Sequence, residues 1–216
     1  MVPFRRVNLS SLLHIAWGRG VFGVKHNKKP LKGLLTEKSM EVPLNAGELI
    51  LAAHHSGLIE GVKMMQNQRG VLNNNRICDQ GDFAIHYTGM LGEIAVGKAI
   101  GVNVRTDLTF AGDGFVDMFY DKQSIQIKTS THAYLKPDQI RYLIFTTLEE
   151  FSTDWAVLCS VKSPALIVIH GFVSRKKFMA KQTKQNFGYG DRFCLDEKFL
   201  TPIERFQEAV RSSNAS

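Results

Sequence analysis

The chain has 216 residues, 44% of them hydrophobic and 22% charged, with a formal net charge of +7. That balance supports one domain with a real core and argues against wholesale disorder. No apolar run reaches the roughly 18 residues of a membrane span, and Cys78, Cys159 and Cys194 are too few and too far apart for a disulfide scaffold or a Cys-rich zinc site.

The N-terminal stretch MVPFRRVNLSSLLHIAW places basic residues before an apolar segment. That segment is short, broken by His14 and followed by Gly18-Arg19-Gly20, so it does not read as a signal peptide, and the expected location is cytoplasmic. Residues 1–43 are Lys- and Gly-rich with weak periodicity and read as an irregular basic arm; residues 44–216 read as a single domain. Asn45-Ala-Gly-Glu48 has the spacing of a capping box and opens a helix to about Gln68, with Leu49, Ala52, Ala53, Leu58, Val62 and Met65 as its apolar stripe. Residues 69–82 read as a polar connector.

A second helix is predicted from about Thr88 to Ile100, stopped by Gly101. Nearly all its side chains are small or apolar, which predicts packing against a sheet. Glu93 shares a face with Met90, Val96, Gly97 and Ile100, and a carboxylate there needs a partner or a metal. Strands are predicted at 102–110, 115–120, 124–130, 142–147, 156–161 and 165–173 from alternation and β-branched or aromatic content. Ser174 caps a basic helix to about Gln185, and Pro202 starts a last helix to about Arg211. Helices, then strands, then helices predict an α+β domain with a central mixed sheet flanked by helices.

One constellation carries chemistry. Asp117 interrupts an apolar strand, where an Asp is poorly suited. Gln126 and Lys128 alternate with Ile125 and Ile127, so they share a face of the next strand, and a tight turn through Asp121-Lys122-Gln123 lays that strand beside Asp117. An acid, an amide and an amine thus meet at one spot, above which the Glu93 helix is expected to pack. Carboxylates can hold Mg²⁺ beside a phosphodiester, and a lysine next to it can offset developing charge.

In order and context, Glu93 in GMLGEIAVGKAIG, Asp117 in GDGFVDMFY and Gln126-Ile127-Lys128 in IQIKTS resemble the PD-(D/E)xK nuclease superfamily, including small phage-encoded members. The segment WAVLCS…ALIVIHGFVSRKKF resembles the outer strands and helix that follow the motif there, so the likeness covers about residues 86–185. It implies a restriction-endonuclease-like core and a Mg²⁺- or Mn²⁺-dependent nuclease acting on DNA. On that reading Glu93, Asp117 and Gln126 are the metal-side residues and Lys128 is the catalytic lysine. Gln126 departs from the pattern, since Asp or Glu is usual there, and an amide brings no charge. The helix expected after the motif has no good match either: residues 131–139 are few and contain Pro137. A non-catalytic nucleic-acid-binding module is therefore the alternative.

The basic residues point to a polyanion. Lys25, Lys28, Lys29, Lys32 and Lys38 form one cluster. Arg175, Lys176, Lys177, Lys181 and Lys184 form another, near a helix end suited to phosphate contact. Arg76, after three asparagines, is a further candidate for DNA contact. The histidines show no metal-ligand spacing, and no Ser or Cys nucleophile elbow is present.

Overall fold

In a computed structural model, residues 39–65, 82–104, 116–131, 141–188 and 190–214 are described. Strand β1 (Met40–Pro43) leads into helix α1 (Ala46–Met65) and helix α2 (Asp82–Ile100). Strands β2 (Met118–Tyr120), β3 (Gln123–Ser130), β4 (Tyr142–Phe145), β5 (Trp155–Ser163) and β6 (Leu166–Ser174) follow. The chain then forms helix α3 (Arg175–Lys181), strands β7 (Thr183–Asn186) and β8 (Asp191–Asp196), two short 3₁₀ turns and helix α4 (Phe206–Asn214). This is an α+β protein with a mixed sheet. No helix among the described residues is long and apolar enough to cross a membrane.

The main sheet has the order β1-β6-β5-β3-β2, and β4-β8-β7 form a second, three-stranded sheet. β3 pairs parallel to β5, whereas β2–β3, β5–β6 and β1–β6 are antiparallel. Strand alternation sends the main sheet's side chains into two cores. Ile125 and Ile127 of β3 and Trp155, Val157 and Cys159 of β5 join Leu91, Ile94 and Ala95 of α2 and Phe206 and Val210 of α4. Ala156 and Leu158 of β5 join Leu143 and Phe145 of β4, Phe178 of α3 and Leu195 of β8 on the other face. Phe145, Phe151 and Phe178 are fully buried and stack or meet edge-on, with centroids 4.8 to 5.2 Å apart. Each such ring contributes about 1.5–3 kcal/mol by burial.

Several predicted elements form with shifted limits. The capping box closes: Glu48 N–H donates to Asn45 Oδ1 at 3.0 Å, and Asn45 N–H donates to Glu48 Oε2 at 2.6 Å. α2 begins at Asp82, inside the stretch expected to be a connector. β1 takes the last four residues of the expected arm. Val42 is buried and the strand pairs along β6, at an edge where Pro43 is tolerated despite its missing N–H. The rest of the arm, residues 1–38, lies outside the described residues, as do residues 105–110 of a predicted strand. The basic helix stops at Lys181, because Gln182 is extended (ψ 153°) and residues 183–186 pair with β8.

The β2–β3 turn has two residues, Asp121 and Lys122, both in the left-handed region (φ 46° and 66°), as a tight hairpin requires. Asp121 Oδ2 accepts a hydrogen bond from Asn214 Nδ2, which offsets part of that strain. At the far end of β3, α2 lies very close to the sheet. A Cβ on Gly92 would sit 1.8 Å from Thr129 Oγ1, so only glycine allows this approach.

Candidate functional site

The site is assembled around residues 126–129 of β3. The β2–β3 register pairs Met118 with Ile125. Extended by one step, it sets Asp117 opposite Gln126. The Asp117 N–H donates to the Ile125 carbonyl at 3.0 Å, and its Oδ2 accepts from the Ile127 N–H at 2.5 Å. Asp117 thus does with its side chain what the next residue of a longer β2 would do with its carbonyl, which explains an Asp at the start of this strand.

Gln126 is buried, with 3% exposure. Its surroundings fix the amide: the nitrogen donates to the Glu150 main-chain carbonyl at 3.1 Å, and the oxygen accepts from Lys128 Nζ at 3.3 Å. The reverse orientation would set oxygen against oxygen. Lys128 Nζ also pairs with Glu150 Oε1 at 2.5 Å and lies 5.2 Å from the centre of the Phe145 ring. Glu150 Oε2 accepts from the Thr146 N–H at 2.6 Å. Burial alone would raise the Glu150 carboxyl, but the Lys128 charge and these hydrogen bonds outweigh it and hold it below the usual carboxylate range.

Glu93 is placed differently from the expectation. α2 crosses the face of Ile125, Ile127 and Thr129, whereas Gln126 and Lys128 project from the opposite face. The sheet stands between the Glu93 helix and those two side chains, so the helix does not pack above the amide and the amine. The reason is polarity: α2 is apolar nearly all round and seeks the apolar face of β3. Glu93 itself is half-buried and follows Gly92, the point of contact with Thr129. Its backbone therefore passes Thr129 on the α2 side of β3.

Arg175, Lys176, Lys177 and Lys181 are exposed on α3, and Ser174 caps that helix by accepting from the Lys177 N–H at 3.2 Å. Phe178 anchors α3 on the same sheet face as Lys128 and meets Phe145 at 5.0 Å. Lys184 pairs with Asp191 on the surface at 3.1 Å. Arg76 lies outside the described residues.

Sequence reasoning missed Glu150. It lies 22 residues beyond Lys128, in the connection between β4 and β5, with no local pattern to mark it. Among the described residues, no group of three or more His, Cys, Asp or Glu could hold a metal ion.

Two other sets of reactive side chains are interior. Ser160 Oγ lies 2.7 Å from His170 Nε2, and His170 Nδ1 lies 3.5 Å from Glu197 Oε2, an order found in acyl-transfer sites. Ser160 and His170 are 2% and 4% exposed and sit mid-strand, so they belong to the packed interior. They tie β5 and β6 to the segment after β8. Cys159 is fully buried, and burial pushes its thiol upward, away from nucleophilic character. Compared with known proteins, the chain matches no family model, no curated protein and no solved structure.

Proposed function

We propose that the chain is a Mg²⁺- or Mn²⁺-dependent nuclease that hydrolyses DNA phosphodiester bonds, built on a restriction-endonuclease-like core and acting in the cytoplasm. The observation that carries this reading is the gathering of Asp117, Gln126 and Lys128 at one stretch of β3, with Glu93 beside it. The order of elements also supports it: an acid on a helix, an acid opening one strand, Gln-x-Lys on the next, then β5, β6 and a basic helix.

The donor set fits a hard divalent cation. Asp117, Glu93 and the Gln126 carbonyl offer only oxygen, and Mg²⁺ sites commonly use one or two carboxylates, with water and phosphate completing the shell. When bound, the cation neutralises the phosphate and supplies hydroxide. Asp117 would hold it at the sheet edge, with Glu93 from the α2 side. The Gln126 oxygen projects from the opposite face and accepts from Lys128, so it would reach the cation only through water. Lys128 brings positive charge to the phosphate in transit, and the Phe145 ring and Glu150 limit where it can point. Arg175, Lys176, Lys177 and Lys181 lie on the same sheet face and would hold the DNA backbone.

A second reading, a nucleic-acid-binding module without turnover, is favoured by the uncharged Gln126 and by the missing group of three metal-holding side chains among the described residues. One experiment separates the two. Linear, circular and branched DNA are incubated with the pure protein in Mg²⁺, Mn²⁺ or EDTA, and with Asp117→Ala and Lys128→Ala. Cleavage is expected only with metal and should fall at least about a hundredfold in either variant. Cleavage that persists in EDTA, or in the double variant, removes this site. Salt-sensitive binding with no cleavage establishes the second reading.

A further inference from the structure

We infer that Glu150 is the positioning residue of this site, its carboxylate holding the Lys128 ammonium and its main-chain carbonyl holding the Gln126 amide; the inference rests on the nuclease reading for its consequence. A lysine that must meet a phosphate sits on a flexible four-carbon stem, and small misplacements at a reacting centre are costly. An acid at position 126 would supply a charge two residues from Lys128 on the same strand face. Gln126 supplies none. The charge comes instead from the β4–β5 connection, with Glu150 Oε1 2.5 Å from Lys128 Nζ.

Glu150 is itself held on several sides. Thr146 N–H donates to Oε2 at 2.6 Å, the Glu150 N–H donates to Thr147 Oγ1 at 3.3 Å, and the next residue, Phe151, is fully buried and stacked on Phe145 at 4.8 Å. Phe145 in turn lies against Lys128. Ring, carboxylate and amide oxygen thus fix the ammonium from three sides, and two of the three depend on Glu150. The Gln126 oxygen faces Lys128 only because the Glu150 carbonyl takes the amide nitrogen. An ion pair serving stability alone would not require this second contact.

The test uses the full chain with Glu150→Gln, Gln126→Glu and the double variant, which moves the charge from the β4–β5 connection back to the strand. In metal-free protein, the Lys128 side-chain ¹⁵N ammonium signal, assigned by its absence in Lys128→Arg, reports whether the lysine is held. We expect it to be sharp in the parent, lost by exchange in Glu150→Gln and restored in the double variant. With Mg²⁺ and DNA, kcat should fall about tenfold or more in Glu150→Gln while KM changes less than about threefold, and the double variant should recover most of the loss. If Glu150→Gln does not fold, Glu150→Asp, which keeps the charge but shortens the reach, should show the same loss of signal and kcat. An unchanged ammonium signal in Glu150→Gln overturns the inference. So does a fall in kcat that the double variant leaves unrepaired at an unchanged melting temperature. If the parent does not cleave DNA, the nuclease reading falls, and the ammonium signal still decides whether Glu150 holds Lys128.

Discussion

At Gln126 the strand presents an amide where a carboxylate would add a full negative charge, and the consequence is measurable. Two unit charges about 4 Å apart attract by about 4 kcal/mol at an effective dielectric of 20, before desolvation is subtracted, and about 1.4 kcal/mol is a tenfold change in affinity. Gln126→Glu should therefore tighten Mg²⁺ or Mn²⁺ binding by about tenfold or more. Part of the gain is diverted, because Glu150 already holds Lys128 and the new carboxylate would compete for the same ammonium. Removing Glu150's charge as well should divert more of it, because the added carboxylate is then left to hold the Lys128 ammonium in Glu150's place. Gln126→Ala should weaken binding less than Asp117→Ala, since it deletes a neutral donor. Asp117→Ala also leaves the Ile127 N–H without its carboxylate acceptor. Calorimetric titration of the variants checks these rankings. If Gln126→Glu leaves affinity unchanged while Asp117→Ala abolishes it, Gln126 is a bystander on the sheet.

Helix α3 separates packing from exposed charge with little overlap. Phe178 is fully buried among Phe145 and Phe151, and the four basic side chains are exposed. Arg175→Ala, Lys176→Ala and Lys181→Ala together should keep the fold and weaken binding to every duplex alike. The slope of log affinity against log salt should become shallower by about 0.9 for each phosphate that the variant no longer neutralises. Fluorescence anisotropy across a salt series measures it, and an unchanged slope would place the DNA elsewhere. The same helix shows what sequence reveals about elements and what it hides. Its Ser174 cap is a local signal and was legible, as were the Asn45–Glu48 box and the alternation of β3. Its end was not: residues 182–186 are polar and neutral in pattern, and only pairing with β8 makes Thr183–Asn186 a strand. β1 was hidden for the same reason, being four residues at a sheet edge. The placement of the candidate residues was legible where it depends on local period, in Gln126 and Lys128 sharing a face of β3 and in Asp117 lying beside it. It was illegible where tertiary structure decides, in the side of the sheet on which α2 settles and in the arrival of Glu150 from another strand.

Over the whole molecule, the two titratable groups that folding perturbs most usefully act in different pH windows. His170 sits in the interior between Ser160, Glu197 and Arg141, and burial, aided by the Arg141 charge, lowers it from the ordinary 6.5 to about 4. The unfolded chain takes up that proton near pH 6.5, whereas the folded one takes it up only near 4. The unfolded state therefore binds more protons between these values, and stability must fall as the pH drops through that window. A shift of this size corresponds to a loss of about 3 kcal/mol by pH 4. Glu150 is displaced in the same direction, below its own ordinary value of 4.5, so its contribution is present at higher pH and is lost only on further acidification. Chemical denaturation at a series of pH values should show a decline beginning near pH 6.5, where carboxylates are still ionised. His170→Asn removes the titrating group while keeping a polar side chain beside Ser160, so its stability, though lower at neutral pH, should be nearly flat from pH 7.5 to 5. Glu150→Gln should keep the first decline and lose part of the second. If His170→Asn declines as steeply as the parent between pH 6.5 and 5, another group carries the acid sensitivity, and the interior histidine is already protonated in the folded protein.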